Sequence, residues 1–360
     1  MEKSSAIAGL FFLPSRRVIE KTPSDCVVGL PSRSDVPGVR LRCEGRPPPC
    51  IWGLLNTLGF GFSCFGWAFG RRCFRLAFGV AIVRDSWFSG VTLAWKVDGA
   101  VVYLFPMGIK PLSLEEIKKM TVSCRIAADT LTYLDKYVKV GISTQEIDEL
   151  ANDFMMTRGA KSACLGYHGY PKYTCTSVNE VVCHGVPDPS VILKDGDIIN
   201  VDVTAWIDGF FGDTSKMYMV GNVSDEARRL VESAQMARDK GIEAITPRGY
   251  TGDIGFETYK YVTRQGYTVV KEIGGHGVGR IFHEEPFVPA FGKKGKGERL
   301  VPFHCITVEP MVNQGVEDVV EFNIPNSSIK YYNTADGLLS AQFEHTVLVT
   351  DTGYEILTLP

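Results

Sequence analysis

The chain has 360 residues, of which 45% are hydrophobic and 22% are charged, and its formal net charge is -3. This composition is typical of a folded soluble protein, and the length is sufficient for two domains. The small negative charge argues against nucleic acid or an anionic membrane surface as the partner.

The composition changes near residue 106. Residues 1–106 contain 13 lysines and arginines against 7 aspartates and glutamates, whereas the remaining residues contain 25 against 34. All six histidines follow the change. We therefore expect an irregular, poorly ordered N-terminal extension over residues 1–106 and a compact domain over residues 107–360.

The extension has more than one interpretation. Residues 50–70 form an uncharged run long enough to cross a bilayer, but five glycines disfavour a membrane anchor. Acidic residues such as Glu20 and Asp25 disfavour a targeting peptide. The favoured interpretation is a non-native or mis-assigned start, with the compact protein beginning at Met107, and the other two remain alternatives.

The cysteines indicate the compartment. Ten cysteines are divided five and five by the change at residue 106, and no pair has CxxC spacing. This distribution favours reduced thiols and a cytoplasmic protein over a disulfide framework or a structural zinc site.

Helix and strand signals alternate through the compact domain. Capping boxes at Ser113–Glu116 and Ser143–Glu146 predict two helices, and two more are expected at about 224–244 and 252–265. Runs rich in valine, isoleucine, threonine and aromatic residues predict strands at 197–206, 210–220, 268–273, 304–309 and 341–350. The pattern indicates an α+β fold.

One predicted hairpin brings two carboxylates together. Asp208-Gly209 is a strong two-residue turn signal, and the register it sets places Asp202 opposite Ser215. Asp213 lies two residues from Ser215 and shares its face. Either aspartate alone could cap a turn or lie solvated at a strand edge.

Three further residues could join the two aspartates. Glu309 ends a predicted strand, Glu344 interrupts another, and His276 lies in a glycine-rich stretch. Oxygen ligands with one imidazole nitrogen suit Mn, Fe, Co or Zn. Four carboxylates offset the charge of two divalent cations, and a bridging hydroxide adds one negative charge, so two cations are expected rather than one.

The motifs resemble those of a known enzyme family. The stretches are YHGYPKYTCTSVNEVVCHGVP at 167–187, GGHGVGRIFHEEP at 274–286, TVEPM at 307–311 and SAQFEHT at 340–346. Together they resemble type I methionine aminopeptidases of bacterial type, from about residue 109 to the C-terminus. The resemblance implies the pita-bread fold, in which two pseudosymmetric α+β halves surround a dinuclear metal site, and makes residues 107–360 the catalytic domain.

The resemblance also implies roles for the metal ligands. Asp213 and Glu344 would bridge both cations, Asp202 would bind one, and His276 and Glu309 would bind the other. A metal-bridging hydroxide would attack the scissile carbonyl, and Glu309 would accept the proton of the attacking water.

The remaining site residues also follow from the resemblance. His283 would stabilise the tetrahedral intermediate, and His184 would contact the leaving-group side of the peptide, although a lone histidine is more often structural. A methionine pocket would be formed by Cys164, Tyr167, Tyr170, Cys175 and Phe282, whose sulfur and aromatic groups suit a thioether.

The glycine-rich stretch and two departures from the family need separate mention. A phosphate-loop interpretation of the glycines around His276 fails because no Rossmann unit accompanies them. We expect the glycines to allow a tight turn instead. Lys330 stands where relatives usually have a tryptophan at the pocket rim, and Phe303-His304 stands where they have a Pro-Gly turn.

The implied function is removal of the initiator methionine from nascent polypeptides with a small second residue. Nascent chains at the ribosome would be the partners, and a cytoplasmic monomer without nucleic acid or membrane is expected. The competing interpretations are a prolidase or Xaa-Pro aminopeptidase on the same fold, and a catalytically inactive binding module.

Overall fold

The structure, a computed structural model, describes the backbone of residues 80–83, 92–97 and 100–104 and all of residues 110–360. The first three ranges are antiparallel strands of one sheet, β1 (Val80–Val83), β2 (Thr92–Val97) and β3 (Ala100–Leu104). The uncharged run at 50–70 and Met107 lie outside the described residues, so the division at residue 106 stays a prediction. No helix in the described part combines the length and apolar character that crossing a bilayer requires.

Four α-helices confirm the helix predictions closely. They are α1 (Leu114–Leu134), α2 (Thr144–Thr157), α3 (Asp225–Glu243) and α4 (Thr251–Arg264). Helices α1 and α2 begin with complete capping boxes, in which the serine hydroxyl accepts a backbone N–H and the glutamate accepts the N–H of the serine. These bonds satisfy amide groups that a helix start would otherwise leave unpaired.

The strands are antiparallel throughout the described part and form four further sheets. In chain order they are β4 (Lys161–Ser162), β5 (Cys175–Val178), β6 (Val181–Cys183), β7 (Ile198–Ile207), β8 (Phe210–Met219), β9 (Thr268–Val269), β10 (Gly275–Val278), β11 (Glu284–Val288), β12 (Cys305–Val308), β13 (Met311–Asn313), β14 (Val319–Asn323), β15 (Lys330–Thr334), β16 (Ser340–Gln342), β17 (His345–Val349) and β18 (Tyr354–Ile356). The sheet orders are β4-β7-β5 with β8 on β7, β11-β10-β12-β17-β18, β16-β13-β9 and β14-β15-β6. This arrangement confirms the α+β prediction.

The β7–β8 hairpin has the predicted register. Asp202 pairs with Ser215, and the turn residues Asp208 and Gly209 have φ of 51° and 85°. Val201 and Val203, on the opposite face of β7 from Asp202, are buried in a core shared with α1 and α2. Burial of the valine face fixes the aspartates on the other face, because side chains alternate along a strand.

The glycine-rich stretch does not form the expected tight turn. Gly275 and Gly277 lie in β10, between β11 and β12, and neither has a positive φ. A Cβ on Gly275 would lie 2.3 Å from the Thr307 carbonyl oxygen, and one on Gly277 would lie 2.1 Å from the Glu285 carbonyl oxygen. Glycine is therefore required for the close approach of neighbouring strands.

Candidate metal centre and active site

Asp202 and Asp213 face the same space from the β7–β8 hairpin. Thr204 lies two residues after Asp202 and opposite Asp213, and its hydroxyl donates to Asp213 Oδ1 at 2.8 Å. Asp202 Oδ1 is buried and has no hydrogen-bond partner among the described residues. An unpaired buried carboxylate oxygen is costly, which favours a cation as its missing partner.

His276 and Glu309 approach from β10 and from the end of β12. His276 Nδ1 lies 3.0 Å from the Gly277 carbonyl oxygen, which can only accept, so Nδ1 carries the ring hydrogen and Nε2 offers a lone pair. Nε2 lies 3.7 Å from Asp213 Oδ2 and 3.6 Å from Glu309 Oε1. The Thr307 hydroxyl accepts from the His276 N–H and donates to Glu309 Oε1, which fixes both residues.

Glu344 lies in the break between β16 and β17 and is buried. Its N–H donates to the Ser215 carbonyl, and its own carbonyl accepts from the Thr214 hydroxyl, so the residue is held against β8. Ligand atoms of Asp213, His276 and Glu344 all lie within 4.8 Å of one another. We refer to Asp202, Asp213, His276, Glu309 and Glu344 as the ligand cluster.

The carboxyl groups of the ligand cluster are buried close together, which disfavours their charged forms. Burial raises the pKa of Asp213 to about 7, and burial with the nearby Asp213 raises the pKa of Glu309 to about 8. Burial and neighbouring carboxylates raise the pKa values of Asp202 and Glu344 well above their ordinary range. Burial also lowers the pKa of His276 to about 4, so its ring is neutral near pH 7. Hard oxygen donors and one neutral imidazole fit a divalent cation.

Every residue that the sequence predicts for the site lines one cavity of about 170 Å³. It is lined by the whole ligand cluster, by both predicted catalytic histidines and by all five predicted pocket residues, namely Asp202, Asp213, His276, Glu309, Glu344, His184, His283, Cys164, Tyr167, Tyr170, Cys175 and Phe282. The structure therefore brings together residues from distant parts of the chain.

The apolar end of the cavity contains sulfur and aromatic groups. Cys164, Tyr170, Cys175 and Phe282 pack together and are buried. The five cysteines in the described part are all free, in agreement with reduced thiols. At the rim, Ile329 lines the cavity and is followed in the chain by Lys330.

Lys330 forms an ion pair with its side chain and a hydrogen bond to His184 with its backbone carbonyl. Its ammonium group pairs with Glu321 across the β14–β15 hairpin, and its carbonyl oxygen accepts from His184 Nδ1 at 2.9 Å. His184 Nδ1 therefore carries the ring hydrogen, and Nε2 is an acceptor as long as the ring is neutral. Burial lowers the pKa of His184, which keeps the ring neutral near pH 7.

His283 lies against Tyr167 and His276. Its Nδ1 is 2.9 Å from the Tyr167 hydroxyl, and its ring centre is 4.2 Å from that of His276. The residue is exposed as a whole, but its ring packs among Tyr167, Phe282 and His276. This burial of the ring and the neighbouring His276 lower the pKa of His283. His283 is therefore neutral near pH 7.

Sequence reasoning missed the polar side chains that orient the ligand cluster. Thr204 and Thr307 bond to Asp213 and Glu309, and the Gln342 amide donates to Glu309 Oε2 at 3.1 Å. Thr204 and Thr307 are each two residues from a predicted ligand in a strand. Because side chains repeat every second residue, this spacing was an available signal.

The sequence after residue 117 is similar to those of known metallopeptidases. The model of metallopeptidase family M24 matches residues 118–351. The chain belongs to metallopeptidase family M24. "Methionine aminopeptidase A" of Synechocystis sp. is 46% identical over 248 residues, which are 69% of this chain and 96% of that protein. M24 membership implies a metal cofactor, and the similarity confirms the assignment as a methionyl aminopeptidase.

Solved structures confirm the pita-bread fold. The methionine aminopeptidase of Rickettsia prowazekii has a TM-score of 0.68 and 41% identity, covering 70% of this chain and 100% of that one. The prolidase of Pyrococcus furiosus has a TM-score of 0.55 and 22% identity, covering 69% of this chain and 65% of that one. The prolidase is similar in fold alone, so the rival assignment gains no support beyond the shared architecture.

Proposed function

We propose that the cavity removes the initiator methionine from nascent polypeptides with a small second residue, with two divalent cations held by the ligand cluster. The observation that carries the proposal is the convergence of the whole ligand cluster and the predicted pocket on one cavity. Asp213 and Glu344 would bridge the cations, Asp202 would hold one, and His276 and Glu309 the other. When bound, the cations would lower the pKa of a water and polarise the scissile carbonyl.

The contacts of Glu309 support a role as proton acceptor. The Thr307 hydroxyl holds Oε1 and the Gln342 amide holds Oε2, so the carboxylate is oriented from both sides. The raised pKa of about 8 in the cation-free protein would fall when cations bind, because nearby positive charge favours the carboxylate. Glu309 could then receive a proton from water and pass it to the leaving amine.

The two histidines would act on opposite sides of the scissile peptide bond. If the Tyr167 hydroxyl donates to His283 Nδ1, the ring hydrogen lies on Nε2, and His283 can donate to a developing oxyanion. In His184 the ring hydrogen lies on Nδ1 instead, because Nδ1 donates to the Lys330 carbonyl. Its Nε2 would accept a backbone N–H on the leaving-group side.

The apolar end of the cavity supports selectivity for methionine. Two thiols and the aromatic rings of Tyr170 and Phe282 form a buried, polarisable surface for an unbranched thioether. A bulky second residue would clash near His184. The substrates would be nascent chains at the ribosome, met by a monomeric enzyme in the cytoplasm.

The test uses the full chain, stripped of metal with a chelator and assayed after separate addition of Co, Mn, Fe and Zn. We expect no turnover of a Met-Ala-Ser peptide after chelation, recovery with at least one cation, and two cations bound per chain. Activity that ignores chelation, preference for an X-Pro-X peptide, or no activity under any condition would contradict the proposal.

A matched pair of variants connects the activity to the ligand cluster. Asp202→Asn should lower kcat/KM by about 100-fold and weaken cation binding, since even residues that only orient a metal ligand commonly contribute about 10- to 100-fold. Asp208→Asn, in the exposed turn of the same hairpin, should behave as wild type because asparagine also tolerates positive φ. Equal effects of both substitutions would show that Asp202 is not a ligand.

A further inference from the structure

Asp148 is a buried acid outside the ligand cluster. It lies on α2 with no exposed surface, and burial raises its pKa to about 6. Its Oδ1 accepts from the Tyr173 N–H at 3.0 Å, the Thr174 N–H at 2.7 Å and the Thr174 hydroxyl at 2.8 Å. Its Oδ2 is buried without a hydrogen-bond partner among the described residues. All three hydrogen bonds of the carboxyl group therefore converge on one short segment.

That segment lacks the support of regular secondary structure. Residues 171–174 connect the short helical turn Tyr167–Gly169 to β5 and belong to neither a helix nor a strand. The Ser162 hydroxyl donates to the Tyr173 carbonyl, but both backbone N–H groups at 173 and 174 depend on Asp148. Asp148 therefore accepts from both of these backbone N–H groups and holds the segment against α2.

The segment carries one wall of the cavity. The Tyr170 hydroxyl lies 3.0 Å from the Thr174 carbonyl oxygen and 3.1 Å from that of Gly185, so Tyr170 is tied to the backbone that Asp148 holds. Cys175 follows Thr174 directly and begins β5. Tyr170 and Cys175 both line the apolar end of the cavity.

We propose that Asp148 is a positioning residue for methionine selectivity, which fixes the Tyr173–Thr174 backbone and thereby the Tyr170–Cys175 wall. This inference rests on the proposed function, because it assumes that this wall contacts the methionine side chain. Without the carboxyl acceptor the segment would relax and the cavity would lose its fit to an unbranched chain. The ligand cluster lies on other elements, so the chemical step would be less affected.

The decisive measurement is a ratio of specificity constants. For the cation-loaded full chain, kcat/KM is measured on Met-Ala-Ser and on Leu-Ala-Ser, and the Met-to-Leu ratio is taken. This ratio does not depend on the concentration of folded enzyme, so a merely structural role cannot change it. We expect Asp148→Leu to lower the ratio about 10-fold, mainly through a higher KM for methionine, because side-chain fit in an apolar pocket contributes on this scale.

Conservative variants distinguish geometry from charge. Asp148→Asn keeps an oxygen acceptor at the position of Oδ1. Its Met-to-Leu ratio should therefore stay within about threefold of the wild-type ratio, which corresponds to less than about 1.4 kcal/mol. Thr174→Val removes one of the three donors and should lower the ratio less than Asp148→Leu does. If Asp148→Leu does not fold, the Thr174→Val result decides, and an unchanged ratio there would overturn the proposal.

Two controls complete the design. Asp153→Asn removes an exposed charge from the same helix, and Ile242→Ala destabilises a core cluster that excludes the pocket residues. Both should leave the ratio unchanged. An unchanged Met-to-Leu ratio in Asp148→Leu would overturn the proposal, and so would an equal loss of the ratio in Asp148→Asn. In either case, wild-type activity on the methionine peptide would still support the proposed function. Absence of that wild-type activity would instead reject the function itself.

Discussion

Phe303 adopts a left-handed backbone conformation that is unusual for a bulky residue. Its φ is 64°, and it precedes β12, which carries Thr307 and ends just before Glu309. Its N–H donates to the Val349 carbonyl, and its carbonyl accepts from the Leu112 N–H, so the surrounding chain holds this conformation in place. A residue with a Cβ in this region costs about 1–2 kcal/mol relative to ordinary backbone conformations.

We therefore predict that Phe303→Gly stabilises the protein relative to Phe303→Ala by about 1 kcal/mol, since glycine adopts positive φ without steric cost. Both substitutions remove the same ring, so their difference isolates the backbone effect. Urea denaturation of the metal-free proteins would give the free energies of unfolding. Equal stability of the two variants would contradict the assigned strain.

At the scale of single residues, the candidate ligands are easier to recognise in the sequence than the groups that orient them. Asp202, Glu309 and Glu344 are conspicuous because a carboxylate is unusual in a buried strand. Thr307 and Asp148 are ordinary residues in ordinary positions. Their importance comes from hydrogen bonds to partners that only the folded chain brings near.

Among the elements, those defined by local signals were predictable. The β7–β8 register follows from the Asp208-Gly209 turn, and α1 follows from its capping box. Strand β10 was not predictable, because glycine has little strand propensity and the reason for it lies in Thr307 and Glu285, which follow later in the chain. The predicted strand at 341–350 is divided in the structure into β16 and β17, which belong to different sheets, and Glu344 lies in the break between them.

Helix α1 is also tied to the segment after β10. Arg280 contacts both carboxylate oxygens of Glu116, at 2.7 Å from Nε to Oε1 and 2.6 Å from Nη2 to Oε2. Hydrogen bonds from Arg280 and from Ser113 lower the pKa of Glu116 to about 2. The pair connects the start of the helix to the chain that leads to His283.

We predict that Glu116→Gln lowers the free energy of unfolding by about 1 kcal/mol at pH 7, the upper range for a partly exposed pair. The folded pKa is below the ordinary 4.5, so the stabilisation is complete above about pH 4.5 and is lost as the pH falls towards about 2. The difference between variant and wild type should shrink over that window.

The control for this prediction is Glu115→Gln, which changes an exposed neighbour in the same helical turn. Glu115→Gln should change the free energy of unfolding little at either end of the pH range. A Glu116→Gln difference that stays constant from pH 7 to pH 2 would contradict the assigned ion pair.

For the whole molecule, we predict that residues 107–360 fold and function without residues 1–106. The described core clusters and the cavity all lie within 110–360, and the family match covers 118–351. The truncated protein should have a kcat/KM on Met-Ala-Ser within about twofold of that of the full chain, because every residue that lines the cavity lies within 110–360. A truncated protein that does not fold or turn over this peptide would show that the extension is required.

The ligand cluster draws its members from segments far apart in the chain. Asp202 and Asp213 belong to one hairpin, whereas His276, Glu309 and Glu344 come from β10 and the chain beyond it. Cations that bind only the folded chain stabilise it by mass action, by about 2.7 kcal/mol at 100 times the dissociation constant. A cell's supply of transition metal would then govern how long each molecule survives proteolysis, as well as how fast it works.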